Sequence, residues 1–377
     1  MQKKMRVAIV YGGRSGEHEV SLRSAASVFH NLDREKYETF PIAISKDGRW
    51  SETPMSAVEK AESALPVVDG APNVYLAIYP GAGGHHSNGV FCRADGLGTR
   101  IDVDVIFPVM HGTFSEDGTI QGLFELAEIP YVGCGVLASA AAMDKELAKR
   151  IVRDAGLPIV PYISVKTGEW SGSELVARVS KELGFPVFVK PSNLGSSVGV
   201  HRVKDPGALE EAVHDAFRYD TKVLIEKAVN AREIELAVLE NPEIGKPPMV
   251  SVPGEVAPTH EFYSYEAKYL DENGAALMIP AKLDEEQIRA AQKIARSAFQ
   301  ALECEGLSRC DLFMDKKTGE FYFNEVNTLP GFTSISMYPK LWEKTGIPYK
   351  ELLSRLIDLA VARHARKKEL VREFRTT

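Results

Sequence analysis

The chain is poor in the features that would hand its chemistry to sulfur, to a bilayer or to a polyanion. Its 377 residues include only four cysteines, Cys92, Cys134, Cys304 and Cys310, and no Cys-x-x-Cys pair. That spacing excludes a zinc cage or a disulfide framework as the organising device and fits reduced thiols in a cytoplasm. No apolar run approaches the roughly 20 residues of a membrane span, so no membrane partner is expected. Met1 to Arg6 leads only into a short apolar strand before Gly12-Gly13, less than the roughly 7–15 apolar residues and cleavage site of a signal peptide. Positive charge is not in excess either. With 45 Lys and Arg against 52 Asp and Glu, the net charge of −7 argues against nucleic acid as a partner. The one basic run, Arg363-His364-Ala365-Arg366-Lys367-Lys368, reads as the solvated end of a C-terminal helix, where positive charge suits the helix dipole. Internal repeats, a Gly-x-Gly-x-x-Gly after the first strand, a Gly-x-x-x-x-Gly-Lys loop and an evident Cys-His or Ser-His nucleophile pair are all missing. A cytosolic protein of two or three domains is expected.

The most informative stretch is Arg309-Cys310-Asp311, followed one hairpin later by Asn324-Glu325-Val326-Asn327-Thr328-Leu329-Pro330-Gly331. Strand-like Leu312 to Met314 and Phe321 to Phe323 flank Lys317-Thr318-Gly319, a loop that suits antiparallel pairing with glycine in the left-handed region. The expected register sets Asp311 opposite Glu325 and Arg309 opposite Asn327, all four on one face. Two carboxylates and an amide oxygen on rigid strands are hard ligands that suit Mg²⁺ shared with nucleotide phosphates. A charged, solvated sheet face with one Arg-Asp pair is the alternative.

Along the chain, Arg6 to Tyr11 reads as a buried strand broken by Gly12-Gly13-Arg14-Ser15-Gly16, with an apolar-periodic helix through Leu22, Ala25, Ala26 and Phe29. Strands at Tyr37 to Ser45 and Ile101 to Val109 and a helix at Thr119 to Ala127 continue a doubly wound α/β unit. Residues 51–100 are the least legible, and His85-His86 there read as part of an exposed loop rather than a metal site. One long helix is expected from Leu137 to Asp154, stopped by Gly156 and Pro158. A second α/β block ends with strand Lys222 to Glu226. A third opens near Arg232 and includes a polar loop from Glu255 to Ala276 and a helix entered by an Asp284-to-Gln287 capping box. The division is 1–133, 134–230 and 231–377.

Phe188-Val189-Lys190-Pro191 followed by Ser192-Asn193-Leu194-Gly195-Ser196-Ser197-Val198-Gly199 puts a lysine at the end of a buried strand, then a Gly/Ser turn. Backbone N–H groups, hydroxyls and an ammonium in such a turn can surround phosphate oxygens. A plain flexible hairpin turn fits the same residues. Leu224-Ile225-Glu226-Lys227-Ala228-Val229 is a strand leaving towards a domain boundary, where backbone and apolar groups can bracket an adenine, and Glu233 could turn towards a ribose; strand-edge solvation is the alternative for each.

Together these stretches resemble the ATP-grasp superfamily, with an N-terminal Rossmann-like domain and two α+β domains enclosing ATP. Gly12 to Ser21, His111-Gly112 with Glu116-Asp117-Gly118, Met143-Asp144-Lys145, Lys190 through Gly199, Tyr265-Glu266-Ala267-Lys268-Tyr269 and Arg309 through Ser336 narrow it. In that order they resemble the D-alanine:D-alanine ligases over almost the whole chain, outside only 51–100. The resemblance implies that Asp311, Glu325 and Asn327 bind two Mg²⁺ or Mn²⁺ ions. It implies that Lys145, Lys190, Ser196, Ser197 and Lys268 hold the ATP phosphates, with Glu226, Lys227, Val229 and Glu233 around adenine and ribose. Glu17 would engage the first D-alanine ammonium and, with Ser196 and Tyr269, close a mobile loop. Arg309 and the Gly331 backbone would meet the oxyanion, Ser336 with Lys268 the second carboxylate, and His111 stands on the substrate side, with local hydrogen bonding as its alternative. D-alanine and ATP as substrates, homodimerisation and a product destined for peptidoglycan are implied as well. A D-alanyl-D-lactate ligase and a non-catalytic nucleotide-binding module are the competing readings.

Overall fold

A computed structural model describes residues 3–78, 89–95, 97–195, 198–258 and 275–371. His85, His86, Ser196, Ser197, Lys268 and Tyr269 lie outside the described residues, as does most of the polar loop.

The first block contains β1 (Met5–Gly12), α1 (His18–Asn31), β2 (Tyr37–Ile44), β3 (Trp50–Glu52), α2 (Met55–Val58), β4 (Val74–Leu76), β5 (Gly89–Arg93), β6 (Arg100–Val103), β7 (Val105–Val109) and α3 (Thr119–Leu126). β1 runs parallel to β2 and β7 in a sheet of order β3-β2-β1-β7. A central parallel strand is covered on both faces, which is why Val7 to Tyr11 read as an unbroken apolar run. Val7, Ile9 and Tyr11 pack with α1, whereas Ala8 and Val10 pack with Ile120 and Phe124 of α3 and with a small antiparallel sheet β4-β5-β6. The expected strand from Ile101 to Val109 is two strands parted at Asp104, whose carboxylate accepts from the Arg6 backbone N–H at 2.8 Å and pairs with its guanidinium.

The expected helix from Leu137 to Asp154 is likewise two: α4 (Val136–Met143) and α5 (Lys145–Asp154). Asp144 is extended (ψ 100°), and its carboxylate caps the new helix by accepting from Leu147 N–H at 3.0 Å. An acidic side chain that can satisfy an orphan N–H competes with helix continuation, so the apolar period alone overran the break.

The second sheet comprises β8 (Tyr162–Lys166), β9 (Val187–Pro191), β10 (His201–Val203) and β11 (Lys222–Lys227) in antiparallel order β10-β9-β11-β8, its core shared with α6 (Gly172–Glu182) and α7 (Leu209–Ala216). The third has β12 (Ala231–Leu239), β13 (Met249–Val250), β14 (Gly254–Pro258), β15 (Ala275–Met278), β16 (Leu307–Asp315) and β17 (Phe321–Asn327), ordered β15-β14-β12-β16-β17 with β13 on β12. One face of it packs α4, α5 and α8 (Glu285–Ala301). The Asp284–Gln287 capping box opens α8 as the sequence suggests. Ala237, Leu239 and Leu307 instead join α9 (Met337–Thr345), α10 (Tyr349–Lys368) and the first sheet in one continuous core. The first and third sheets therefore share buried surface, while α5 stands between the second and the third.

Candidate active site

The β16–β17 hairpin pairs Asp311 with Glu325 and Arg309 with Asn327, but by a route that simple alternation misses. Near the turn, Leu312 faces Phe323 and Met314 faces Phe321; the register then shifts by one between Asp311 and Leu312. Asn324 is the extra residue. Such a bulge reverses which side of the strand later residues occupy. Phe321 and Phe323 are buried on odd positions and Val326 on an even one, so the shift turns Glu325 and Asn327 out of the core onto the face of Arg309 and Asp311. The loop is one residue longer than expected, closing between Asp315 and Glu320, with Gly319 at φ +76°.

On that face the Arg309 guanidinium grips Asp311 in a fork, at 2.7 and 2.6 Å, and meets Glu235 of β12 at 3.0 Å. Burial alone would lower the Arg309 pKa, but Asp311 and Glu235 outweigh it and hold the guanidinium charged. The Asn327 amide donates to Asp311 at 3.0 Å, and Lys145 Nζ stands 3.2 Å from Glu325. Among the described residues no three His, Cys, Asp or Glu side chains form a metal cluster. The donor set fits a hard divalent cation nonetheless: it is all oxygen, sits on adjacent strands, and has its carboxylate charge met here by an ammonium and a guanidinium. Glu235 is a member the sequence reading missed; its signal was the period-two Glu233-Ile234-Glu235 run, with Asp311 directly opposite Glu235 in register.

α5 brings a second group to this one. Lys145 and Lys149, four residues apart, share a helix face. Lys145 also donates to Leu194 O, in the turn after β9, at 2.7 Å. Lys149 is fully buried; its Nζ meets Glu226 Oε1 of β11 at 2.7 Å and Phe323 O of β17 at 3.4 Å. Lys190 pairs with the other Glu226 oxygen. Burial pushes the Glu226 carboxyl up, but the two ammoniums win and hold it down to about 2. Lys149, an interior helix lysine, had no signal beyond its place one turn after Lys145. Lys227 is exposed at the end of β11, Val229 half-buried just beyond it, and Glu233 half-buried on β12 between Val256 and Phe313.

Loops of the first sheet close the third side. Gly12 has φ +89°, and a Cβ there would stand 2.2 Å from Ile44 O, so only glycine passes. Glu17 then sits at the N-cap of α1, its carboxylate beside Gly112 and Gly195: a Cβ at either would lie 2.8 or 3.4 Å from Glu17 Oε2. His111 is buried and bonded locally, Nε2 to Ser24 Oγ at 3.1 Å and Nδ1 to Leu329 O at 3.0 Å. It anchors the turn after β17 to the first sheet. Glu116 receives Gly112 N–H at 2.8 Å; burial first, and the neighbouring Glu17 charge second, push its carboxyl up to about 8. Gly331 packs on Ser336, where a Cβ would come within 2.7 Å of Oγ, and that oxygen accepts from Thr333 N–H at 3.0 Å. Arg309, Asp311, Glu325, Asn327 and Lys145 thus form one contact group and Lys190, Glu226 and Lys149 a second, joined through α5.

Lys145 of α5 set against the carboxylates of the third sheet, with Lys149 of α5 and Lys190 of the second sheet on Glu226, behind a parallel α/β block, is the arrangement of an ATP-grasp enzyme. Residues 6–134 match the family model described as D-ala D-ala ligase N-terminus, and residues 151–358 match D-ala D-ala ligase C-terminus. The chain is 51% identical to D-alanine–D-alanine ligase A of Bradyrhizobium diazoefficiens, over 99% of this chain and all of that one. It is 47% identical to D-alanine–D-alanine ligase of Caldicellulosiruptor bescii, over 97% and 98%. Among solved structures, D-alanine-D-alanine ligase of Coxiella burnetii superposes with a TM-score of 0.81 at 33% identity, covering 97% of this chain and 96% of that one. VanG D-Ala:D-Ser ligase of Enterococcus faecalis gives 0.81 at 34%, covering 95% and 100%. The chain belongs to the D-Ala–D-Ala ligase family.

Proposed function

We propose that this protein joins two D-alanine molecules into D-alanyl-D-alanine for cell-wall precursor synthesis, consuming ATP through a D-alanyl phosphate. A carboxylate is a poor acyl donor until one oxygen becomes a leaving group, and phosphorylation by ATP makes it one. The second amino acid's neutral amine then attacks the acyl carbon and phosphate departs. The observation that carries this reading is the joint group of Arg309, Asp311, Glu325 and Asn327 facing Lys145, a site for handling phosphate charge with no nucleophile required.

Lys145 and Lys190 would bind phosphate oxygens, with Glu226, Lys227, Val229 and Glu233 around adenine and ribose; Ser196, Ser197 and Lys268 complete that set by family resemblance. Asp311, Glu325 and Asn327 would hold two Mg²⁺ or Mn²⁺ ions, which supply charge neutralisation to the phosphates. Glu17 would take the first ammonium, closing with Ser196 and Tyr269. Arg309 and the Gly331 N–H would face the oxyanion, and Ser336 the second carboxylate. His111 would act by holding Leu329, and through it the Gly331 turn, in place. The three-part division at 133/134 and 230/231 is retained as the account of folding units, although α4 and α5 share their core with the third sheet.

No helix among the described residues is long and apolar enough to cross a membrane; cytoplasmic residence, where ATP is available, is part of the proposal. A homodimer is too. Exposed Leu126 on α3 and Val136 and Leu137 on α4 are the apolar surface that supports it.

ADP release measured with D-alanine, D-serine, D-lactate and L-alanine, singly and in pairs, tests the assignment. Release and dipeptide formation with D-alanine alone are expected. Release requiring D-lactate as second partner would transfer the protein to the depsipeptide ligases, and no release with any pair would remove the catalytic reading.

A further inference from the structure

Lys149 is fully buried, so it cannot be the cation that reaches a nucleotide from solvent. Its ammonium instead takes Glu226 Oε1 at 2.7 Å, while Lys190, whose side chain is 10% exposed, takes Oε2. The same ammonium reaches Phe323 O at 3.4 Å, and Phe323 stands beside the bulge that turns Glu325 outward. Among the described residues Glu226 is the one carboxylate paired with these two buried cations, Glu325 acting on Lys149 from further off, so the cluster is short of negative charge where unbalanced charge is costly. An entering phosphate would supply the missing negative charge, and Lys190 is the member placed to meet it.

We propose that Lys149 is a positioning residue for the nucleotide: by taking half of the Glu226 charge it leaves Lys190 free to bind phosphate, and by bonding Phe323 O it ties the adenine edge of the second sheet to the hairpin of the third. This rests on the assignment of Lys190 and Glu226 to ATP. Without Lys149, the whole Glu226 charge falls on Lys190 and the lysine is held back from phosphate. A plain structural strut would act on stability and leave the Glu226–Lys190 balance alone.

The test is calorimetric titration of the full chain with ADP and MgCl₂, for wild type, Lys149→Met, Glu226→Gln, the double variant and Lys190→Met, with thermal melting of each. Lys149→Met should weaken ADP on the order of tenfold, as for a group acting through a contacting partner, with KM for D-alanine unchanged. The double variant should bind no more than about threefold more weakly than Glu226→Gln, because the charge that Lys149 shares with Lys190 is already gone and only its 3.4 Å contact with Phe323 O remains. Unaltered ADP affinity in Lys149→Met, or losses that multiply in the double variant, would overturn the proposal. If Lys149→Met does not fold, the double variant against Glu226→Gln decides alone, equality supporting it and a further tenfold loss refuting it. If Lys190→Met and Glu226→Gln both bind ADP normally, the nucleotide-site reading itself has failed.

Discussion

At the scale of single residues, the same chemical type is driven to opposite states by its neighbours. Glu226 is buried between two ammoniums and stays ionised, whereas Glu116, half-buried near Glu17, holds its proton to about pH 8. The folded-state pKa of Glu116 is raised, so its contribution to stability is full below the ordinary glutamate pKa and is lost as pH rises through about 8. Glu116→Gln keeps an acceptor for Gly112 N–H and removes the titration. Its melting temperature relative to wild type should therefore climb between pH 5 and pH 8, and a pH-independent difference would sink this account. At Glu325 the change to Gln is expected to cost turnover: the amide cannot neutralise a phosphate-bound cation or answer Lys145. ADP release should fall by about 10²–10³ with the melting temperature little altered, since the Glu325 side chain is 24% exposed. Undiminished release would count decisively against the metal assignment.

At the scale of elements, two local breaks set the site, and both interrupt a clean periodicity. The Asn324 bulge places Glu325 and Asn327 on the working face. Asp144 ends α4 and caps α5, which aims Lys145 and Lys149 across to β17 and β11. Asp144 also accepts from Ser192 Oγ at 2.8 Å and pairs with Lys222 at 2.6 Å, fastening the start of α5 to the second sheet. Asp144→Ala should destabilise by about 1–3 kcal/mol, a lost cap plus a half-buried pair left open, and should weaken ATP binding. Asp144→Asn retains the cap and should lose less. Urea unfolding separates them; equal losses would show that the pair with Lys222 matters and the cap does not.

At the scale of the whole molecule, the three sheets are not equally joined. Core residues run continuously from the first sheet through α9 and α10 into the third, whereas the second sheet has its own core and, among the described residues, is joined to α5 by the polar contacts of Asp144 and Lys149. Few shared apolar contacts make relative motion of such a unit the expected behaviour. On the outer surface, Leu126 is 65% exposed and Leu137 68%, more apolar exposure than a solitary helix pair needs. Leu126→Glu with Leu137→Glu should convert a dimer to a monomer in light scattering while melting remains cooperative. A wild type that is monomeric at every concentration would remove the homodimer.

How far the sequence reached is clearest at its failures. Period-two and period-3.6 patterns, caps and glycines are local consequences of backbone geometry, so β1, α1, the capping box of α8 and the pairing of Asp311 with Glu325 were legible, and the ordered motifs named the family. The breaks at Asp104 and Asp144 were not: the first depends on Arg6, distant in sequence, and the second joins a local cap on Leu147, hidden under an unbroken apolar period, to Ser192 and Lys222 far along the chain. Glu235 and Lys149 were overlooked, and Glu116 was read only as part of a motif, because each is an ordinary residue in its own segment and takes its place in the site only through what it faces. Sequence by itself determined the elements and the kind of chemistry, since propensity and donor type are carried by each residue alone. Tertiary structure decided which charges meet and which stay dry, because charge pairing and desolvation belong to neighbours that the chain brings together only on folding.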